Sequence, residues 1–470
     1  MKINSENILN EFTAFTKTLI EFKKPKLISF AFNLEQFDAL SLINNLNKHF
    51  DDIFFFRTPN KRLTVYGLNT ALGLTSNKIK NFTSLTDNYD YWKHNFIFNW
   101  DDKNKSNSFI LCCSAKFDNV KLAEEWIDFE SLGVYVPEFL LAFRNDEVYG
   151  YYNFIIESGS DLDIIKNNLV SFFEKLSAIT EELAQTSSQK TFIQSTSDSN
   201  ELVEWKNITA KAFKELKDGT VNKLVLSRAY SFNLNSKIIW SSLLKELFKR
   251  FPDCYLFFIK KISSVFFGSS PEMFLKVSDN VAEVESVAGS APRGEKSESD
   301  FQFERSLKSS EKNQKEHLFV SDFISDILIK YSNNVRIIEE KQIRKLDNIQ
   351  HLITRISAEL NSKKKLFKLI DALFPTPAVC GVQKDIAKDL IRKFESHDRG
   401  LYSGLIGLMD FDGNCELAVS IRSALVRENK VTAFAGAGLV KNFDADEEFL
   451  ETNLKLNTIL SLFTDENKSK

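Results

Sequence analysis

The spacing of apolar positions changes several times along the 470 residues. Short apolar runs at Leu27–Phe32, Ile53–Phe56 and Phe109–Cys113, separated by polar turns, predict strands. Leu162–Leu183 shows helical periodicity instead. Gln185–Asn200 is rich in Ser, Thr and Gln with few apolar residues, as a connection would be. It divides the chain into an N-terminal half, 1–200, and a C-terminal half, 201–465.

The second half mixes the two periods. Leu202–Lys217 reads as a helix, Lys223–Phe232 as an alternating strand, and Cys254–Lys260 with Ser264–Gly268 as a strand pair. Arg305–Lys330 reads as one long amphipathic helix. Leu401–Asp410, Glu416–Val426 and Lys430–Gly436 read as a three-strand meander, with Asp412–Gly413 marking a tight hairpin turn. A final helix starts near Asp444 or Asp446 and runs to about Phe463. Hairpins and helices without a regular βαβ rhythm predict the α+β class.

Composition narrows the function. With 43% apolar residues the chain can bury one large core or two medium ones. A net charge of −3 gives no whole-protein field for nucleic acid or an anionic membrane, so any anion site must be local. Five cysteines without C-x-x-C spacing fit a reducing cytoplasm better than secretion. Residues 1–12 carry Glu6 and Glu11 and no apolar core, which argues against a signal peptide. No apolar run approaches the roughly 18 residues that span a bilayer.

Candidate chemistry gathers towards the C-terminus. Glu448, Glu451 and Lys455 fall at i, i+3 and i+7 and share a helix face, as an ordinary i,i+4 surface pair would too. Glu316 leads Val320, Phe323 and Ile327 on an apolar stripe, where a carboxylate needs a cationic side chain or a metal ion. Lys223 shares its strand face with Val225 and Ser227, and is a candidate base or an edge gatekeeper. Glu272 follows a Ser-Pro turn and either points into a cleft or is solvated. Gly436-Ala437-Gly438 lacks the third glycine of a dinucleotide loop, because Lys441 stands there; close backbone approach to a carboxylate suits it better. Gly289 and Ser290, in AGSAPRG, could serve the same way or form an ordinary turn. His351 is a candidate donor to a ligand oxygen or a satisfied core histidine. No H-E-x-x-H, Cys/His cluster or G-x-S-x-G elbow occurs.

Taken in order, KLVLSRAY, FFGSSPEMF, ESVAGSAPRG, KNQKEHLFV, FPTPAVCG, FESHDRGLYSGLIG, VSIRSAL, AFAGAGLV and EEFLETNLKL resemble the chorismate-utilising enzymes. The resemblance runs from about Asn207 to Phe463 and is loose over 1–200. It implies a single large layered α+β fold with mixed and antiparallel sheets and packed helices. It also implies a Mg²⁺-dependent chorismate site. Glu316 and Glu451 match the metal-ligating glutamates, and Glu448 the carboxylate behind them. Tyr402, Arg422, Gly436, Gly438 and Lys455 match positions that hold the enolpyruvyl carboxylate and neighbouring groups. Lys223 matches the water-activating base of isochorismate and salicylate synthases, where anthranilate enzymes carry glutamine. Glu272 matches the general acid.

The implied product is isochorismate, for menaquinone or a siderophore, with salicylate synthase and the anthranilate and aminodeoxychorismate enzymes as rivals. No nucleic acid, membrane or amidotransferase partner is expected, and the chain is a monomer or homodimer. Departures are Phe374 in place of a histidine, Cys380 in place of a glycine, and Ala291 in place of an arginine common in anthranilate enzymes.

Overall fold

The strand Asp52–Arg57 shows how the core is laid out. Phe54 and Phe56 point into one apolar cluster, while Ile53 and Phe55 point into another. Side chains alternate faces along a strand, so a run apolar at every position must be covered on both sides. A computed structural model describes residues 5–19, 22–59, 62–75, 81–100, 110–118, 123–144, 147–182, 191–196, 200–362 and 365–464.

Two sheets organise these residues. The larger runs, in spatial order, from Ile193–Thr196 through Lys223–Leu234, Lys430–Val440, Ser423–Arg427, Ser264–Ser270 and Tyr255–Lys261. It continues through Asp52–Arg57, Thr64–Leu68, Phe139–Arg144, Glu147–Ile156, Lys26–Leu34 and Phe96–Phe98. The smaller runs from Ser332–Lys345 through Ile349–Leu360, Val281–Pro292, Met273–Ser278, Cys415–Val419 and Leu405–Met409 to Leu111–Ala115, Leu132–Val136 and Leu72–Gly73. Pairing is antiparallel except where Lys26–Leu34 meets Phe96–Phe98. This is the expected mixed, layered α+β architecture.

Both sheets take strands from either side of residue 200. Leu256 pairs with Arg57 in one, and Gly407 with Cys113 in the other. The central apolar cluster draws on both sheets, with Phe257, Phe266, Leu275 and Leu417 among its members. Helices Ser5–Thr16, Leu162–Glu182 and Trp240–Arg250 cover the outer face of the larger sheet through Phe12, Leu169, Phe172 and Leu244. None of the described helices is long and apolar enough to cross a membrane.

Three expected elements differ. The stretch Arg305–Lys330 is two helices, Ser297–Ser309 and Glu311–Tyr331. Ser310 between them is extended and its hydroxyl accepts from Asn313 N–H, so it starts a new helix rather than continuing the old one. The connection Gln185–Asn200 contains a strand, Ile193–Thr196, on the edge of Lys223–Leu234; its residues 185–190 and 197–199 lie outside the described residues. Phe109, in the run Phe109–Cys113, lies outside them as well. The meander is not one sheet. Leu405–Met409 and Cys415–Val419 form a hairpin in the smaller sheet, whereas Ser423–Arg427 and Lys430–Val440 form one in the larger. The chain changes sheets between Val419 and Ser423.

Candidate active site

The site is built on two such changes of sheet. Ser264–Ser270 belongs to the larger sheet and Met273–Ser278 to the smaller, so Pro271 and Glu272 are the first crossover. Residues 420–422 are the second. The two are tied together: Val419 N–H donates to the Glu272 carbonyl at 3.1 Å, and Ser269 N–H to the Arg422 carbonyl at 3.1 Å. Arg422 has a left-handed backbone (φ +52°), which for a non-glycine residue costs about 1–3 kcal/mol. What the strained turn achieves is orientation. The guanidinium is 5% exposed and faces inward, where Nη2 donates to His351 Nε2 at 3.0 Å and Nη1 is buried without a partner. A buried unpartnered donor on a cation is costly, and an anionic ligand would satisfy it.

Every predicted site residue except Lys223 and Glu448 lines one cavity of about 70 Å³. Several of its charged side chains are already paired, so an incoming ligand exchanges these pairs for its own. His351 accepts from Arg422 at Nε2, so Nδ1 carries the proton and donates to Ser290 Oγ at 3.0 Å. Burial first, then the charges of Arg422, Lys455 and Arg344, hold this imidazole well below its ordinary range, and it is neutral. Both ring nitrogens are therefore taken by protein, and of the two readings open from sequence, ligand donor or satisfied core histidine, His351 takes the second and orients Arg422. Ser290 and Gly289 sit at a register shift in Val281–Pro292, with Ser290 opposite His351.

Three carboxylates converge from the helices Glu311–Tyr331 and Ala445–Leu460, each holding a lysine. Glu316 Oε1 lies 3.0 Å from Lys223 Nζ, and Glu451 Oε1 2.6 Å from Lys455 Nζ. Glu448, 1% exposed, pairs with Lys312. Burial, then repulsion from Glu451, pushes Glu448 upward despite Lys312. Burial also pushes on Glu451, but Lys455, Lys312 and a hydrogen bond from Ser290 outweigh it and hold that carboxylate ionised. Lys312 feels all three carboxylates. Among the described residues no three acidic, histidine or cysteine side chains already stand in metal-binding geometry. The donors are nevertheless all oxygen and mutually repelling, with ammonium groups between them, and this set fits a hard divalent cation.

Lys223 is completely buried. Leu224 and Leu226 face the helices Glu201–Lys217 and Lys384–Phe394, so Lys223, Val225 and Ser227 face the other way. Its Nζ makes the ion pair with Glu316 but no well-directed hydrogen bond. It stands behind the cavity wall, at Gly438. A Cβ on Gly438 would come within 2.1 Å of Glu316 Oε1 and 3.1 Å of Lys223 Cε, so only glycine lets this pair meet the strand. On the same strand the Gly436 carbonyl accepts from Lys455 Nζ at 2.9 Å. Tyr402 stacks on Phe434 with ring centroids 5.2 Å apart.

Glu272 faces the cavity from the opposite crossover, 3% exposed. Burial first, then the nearby carboxylate of Glu285, raises it to about 8, against the pull of Lys223, Arg344 and Lys455. At neutral pH it therefore carries a proton it can give. Lys312, Glu285 and Arg344 were not singled out from the sequence. Lys312 could have been, since it precedes Glu316 by four residues on one helix face.

The family model described as "Chorismate binding enzyme" matches residues 13–464. The chain is 26% identical to isochorismate synthase MenF of Bacillus subtilis (strain 168), over 94% of each chain. It is 30% identical to anthranilate synthase component 1 of Saccharolobus solfataricus, over 54% of this chain and 61% of that one. The solved structure of MenF, the menaquinone-specific isochorismate synthase from Escherichia coli, superposes with a TM-score of 0.78 at 20% identity, covering 97% of this chain and all of that one.

Proposed function

Since the chain belongs to the chorismate-binding enzyme family, we propose that it is an isochorismate synthase, converting chorismate to isochorismate. One observation carries the reading. A buried, protonated carboxyl at Glu272 faces the cavity and feels the charge of a buried lysine at 223, which stands behind the cavity wall at the position where the resembling anthranilate enzymes carry glutamine.

Lys223, acting as the neutral amine once its ion pair with Glu316 is given up, takes a proton from a water that attacks ring carbon C2. Glu272 gives its proton to the departing C4 hydroxyl, which leaves as water, and the ring double bonds shift between the two positions. One C–O bond forms and one breaks, and the product is an isomer of the substrate. Arg422, oriented by His351, takes the enolpyruvyl carboxylate with Tyr402, Lys455 and the backbone at Gly436 and Gly438; a planar guanidinium suits that partner. Gly289 and Ser290 close the cavity beside it. Mg²⁺, which Glu316 and Glu451 would hold with Glu448 behind them, would neutralise these carboxylates and bind the ring carboxylate of the substrate. Water as nucleophile requires no ammonia-delivering subunit, so the enzyme works as a monomer or homodimer. Its product feeds menaquinone or siderophore synthesis, and five buried free cysteines suit a cytoplasmic setting.

The test is incubation with chorismate and Mg²⁺, followed by chromatography. Isochorismate alone is expected. Salicylate with pyruvate would instead make the chain a salicylate synthase, and no turnover would refute the assignment.

A further inference from the structure

Glu285 and Arg344 take part in no step above, yet both are bonded to the backbone that carries Glu272. Glu285, 4% exposed on Val281–Pro292, accepts the Met273 N–H at 3.3 Å through Oε2. The same oxygen accepts from Arg344 Nη1 at 2.8 Å, and Oε1 accepts from Arg344 Nη2 at 2.7 Å and Arg355 Nη2 at 3.0 Å. Arg344 Nη1 also donates to the Pro271 carbonyl. The polar groups on either side of Glu272, the carbonyl of 271 and the N–H of 273, therefore end on one ion pair.

Such a fixture matters at this point in the chain. Glu272 lies on a crossover, where the regular ladder stops. The pairing of Met273–Ser278 with Cys415–Val419 is itself irregular between Met273 and Leu275. Charged groups act on Glu272 from several elements. Arg344 comes from Ser332–Lys345, Lys223 from Lys223–Leu234, Lys455 from Ala445–Leu460, and Arg422 from the second crossover. Glu285 brings a carboxylate to this neighbourhood, buried in ion pairs with Arg344 and Arg355, while Glu316 and Glu451 line the same cavity.

We propose that the Glu285–Arg344 pair is a positioning clamp for Glu272: it fixes the backbone on both sides of that residue, and its buried negative charge keeps the Glu272 carboxyl protonated. The direction in which Glu285 acts on Glu272 agrees with this. The inference rests on Glu272 being the proton donor, and it gives Glu285 and Arg344 a role through Glu272 with no contact to substrate.

The test uses the full chain with Mg²⁺ and chorismate. Glu285→Gln should lower kcat tenfold or more with KM within about twofold, since a displacement of about 1 Å at a reacting group costs on the order of 10²-fold. The alkaline limb of its pH profile should move to lower pH. In parallel, the carboxyl infrared band of Glu272, isolated by subtracting the Glu272→Gln spectrum, should titrate at lower pH in Glu285→Gln. Arg344→Lys keeps the charge but cannot span Pro271 and Glu285, so kcat should fall with the limb unmoved. An unmoved band midpoint in Glu285→Gln would overturn the charge role, and wild-type kcat in Arg344→Lys would overturn the clamp. If Glu285→Gln does not fold, Arg344→Lys decides. Full activity in Glu272→Gln would sink the acid assignment itself, while the infrared midpoint still reports whether Glu285 governs that carboxyl.

Discussion

Two strands of the larger sheet, Asp52–Arg57 and Lys223–Leu234, are built on opposite terms. The first buries Ile53, Phe54, Phe55 and Phe56 with apolar neighbours on both faces. The second is buried from Lys223 to Arg228 but carries Lys223, Ser227 and Arg228 into the interior and lies against the two glycines of Lys430–Val440. The first strand stabilises the sheet. The second gives up apolar contact and side-chain volume to hold charge at a chosen place. Stability and chemistry are thus separated within one sheet, and substitutions in the two strands should fail in different ways.

The sharpest contrast is Lys223→Gln. Removing the proposed proton acceptor should lower kcat by about 10²–10⁴-fold. Chorismate binding, measured by calorimetry, should survive, because Arg422 and Lys455 remain. Near-wild-type turnover would show that Lys223 only balances Glu316. Phe55→Ala should do the reverse. It should cost about 3–5 kcal/mol of unfolding free energy in a denaturant titration and leave kcat of the folded fraction unchanged. A fall in kcat with unchanged stability would dissolve the distinction.

Gly438→Ala tests the seam between the two roles. Its methyl group would press on Glu316 Oε1 and Lys223 Cε. Overpacking of this kind costs about 1–3 kcal/mol. Here the loss should appear in both stability and kcat, with a weaker dependence on Mg²⁺. Loss of stability alone would mean that the pair relaxes away without chemical consequence.

The apolar strand was legible because its information is local. Ile53–Phe56 declares a doubly covered strand in four letters. The candidate site residues were legible one block at a time through the resemblance, and the geometry gathers all of them but Lys223 and Glu448 around one cavity. Sequence failed where periodicity is indifferent to what matters. Alternation runs on through Glu416–Val426 although the chain changes sheets at Arg422, since a sheet change leaves a period of two intact. Helical spacing likewise continues past Ser310, where a cap starts a new helix. Ile193–Thr196 pairs through its backbone at a sheet edge, so its polar composition hid it. Glu285 and Arg344 look like ordinary strand charges until Pro271 and Met273 are seen between them.

The smallest expected effect follows from Glu272, which belongs to the site by chemistry and to the core by burial. Its carboxyl is raised from the ordinary 4.5 to about 8, by burial and then Glu285. As the proposed proton donor it is competent while protonated, so kcat should hold at neutral pH and fall about tenfold per unit above about 8. The same shift enters stability with the sign of a raised acid. Its contribution is intact below about 4.5, declines as pH rises towards 8 because the unfolded chain ionises first, and is lost above that. Glu272→Gln cannot ionise. Unfolding free energies measured for both proteins between pH 5 and 9 should therefore diverge, with the wild type losing ground to the variant as pH rises. Parallel curves would mean that Glu272 is ionised in the folded enzyme at neutral pH. The acid of the reaction would then have to be sought elsewhere in the cavity.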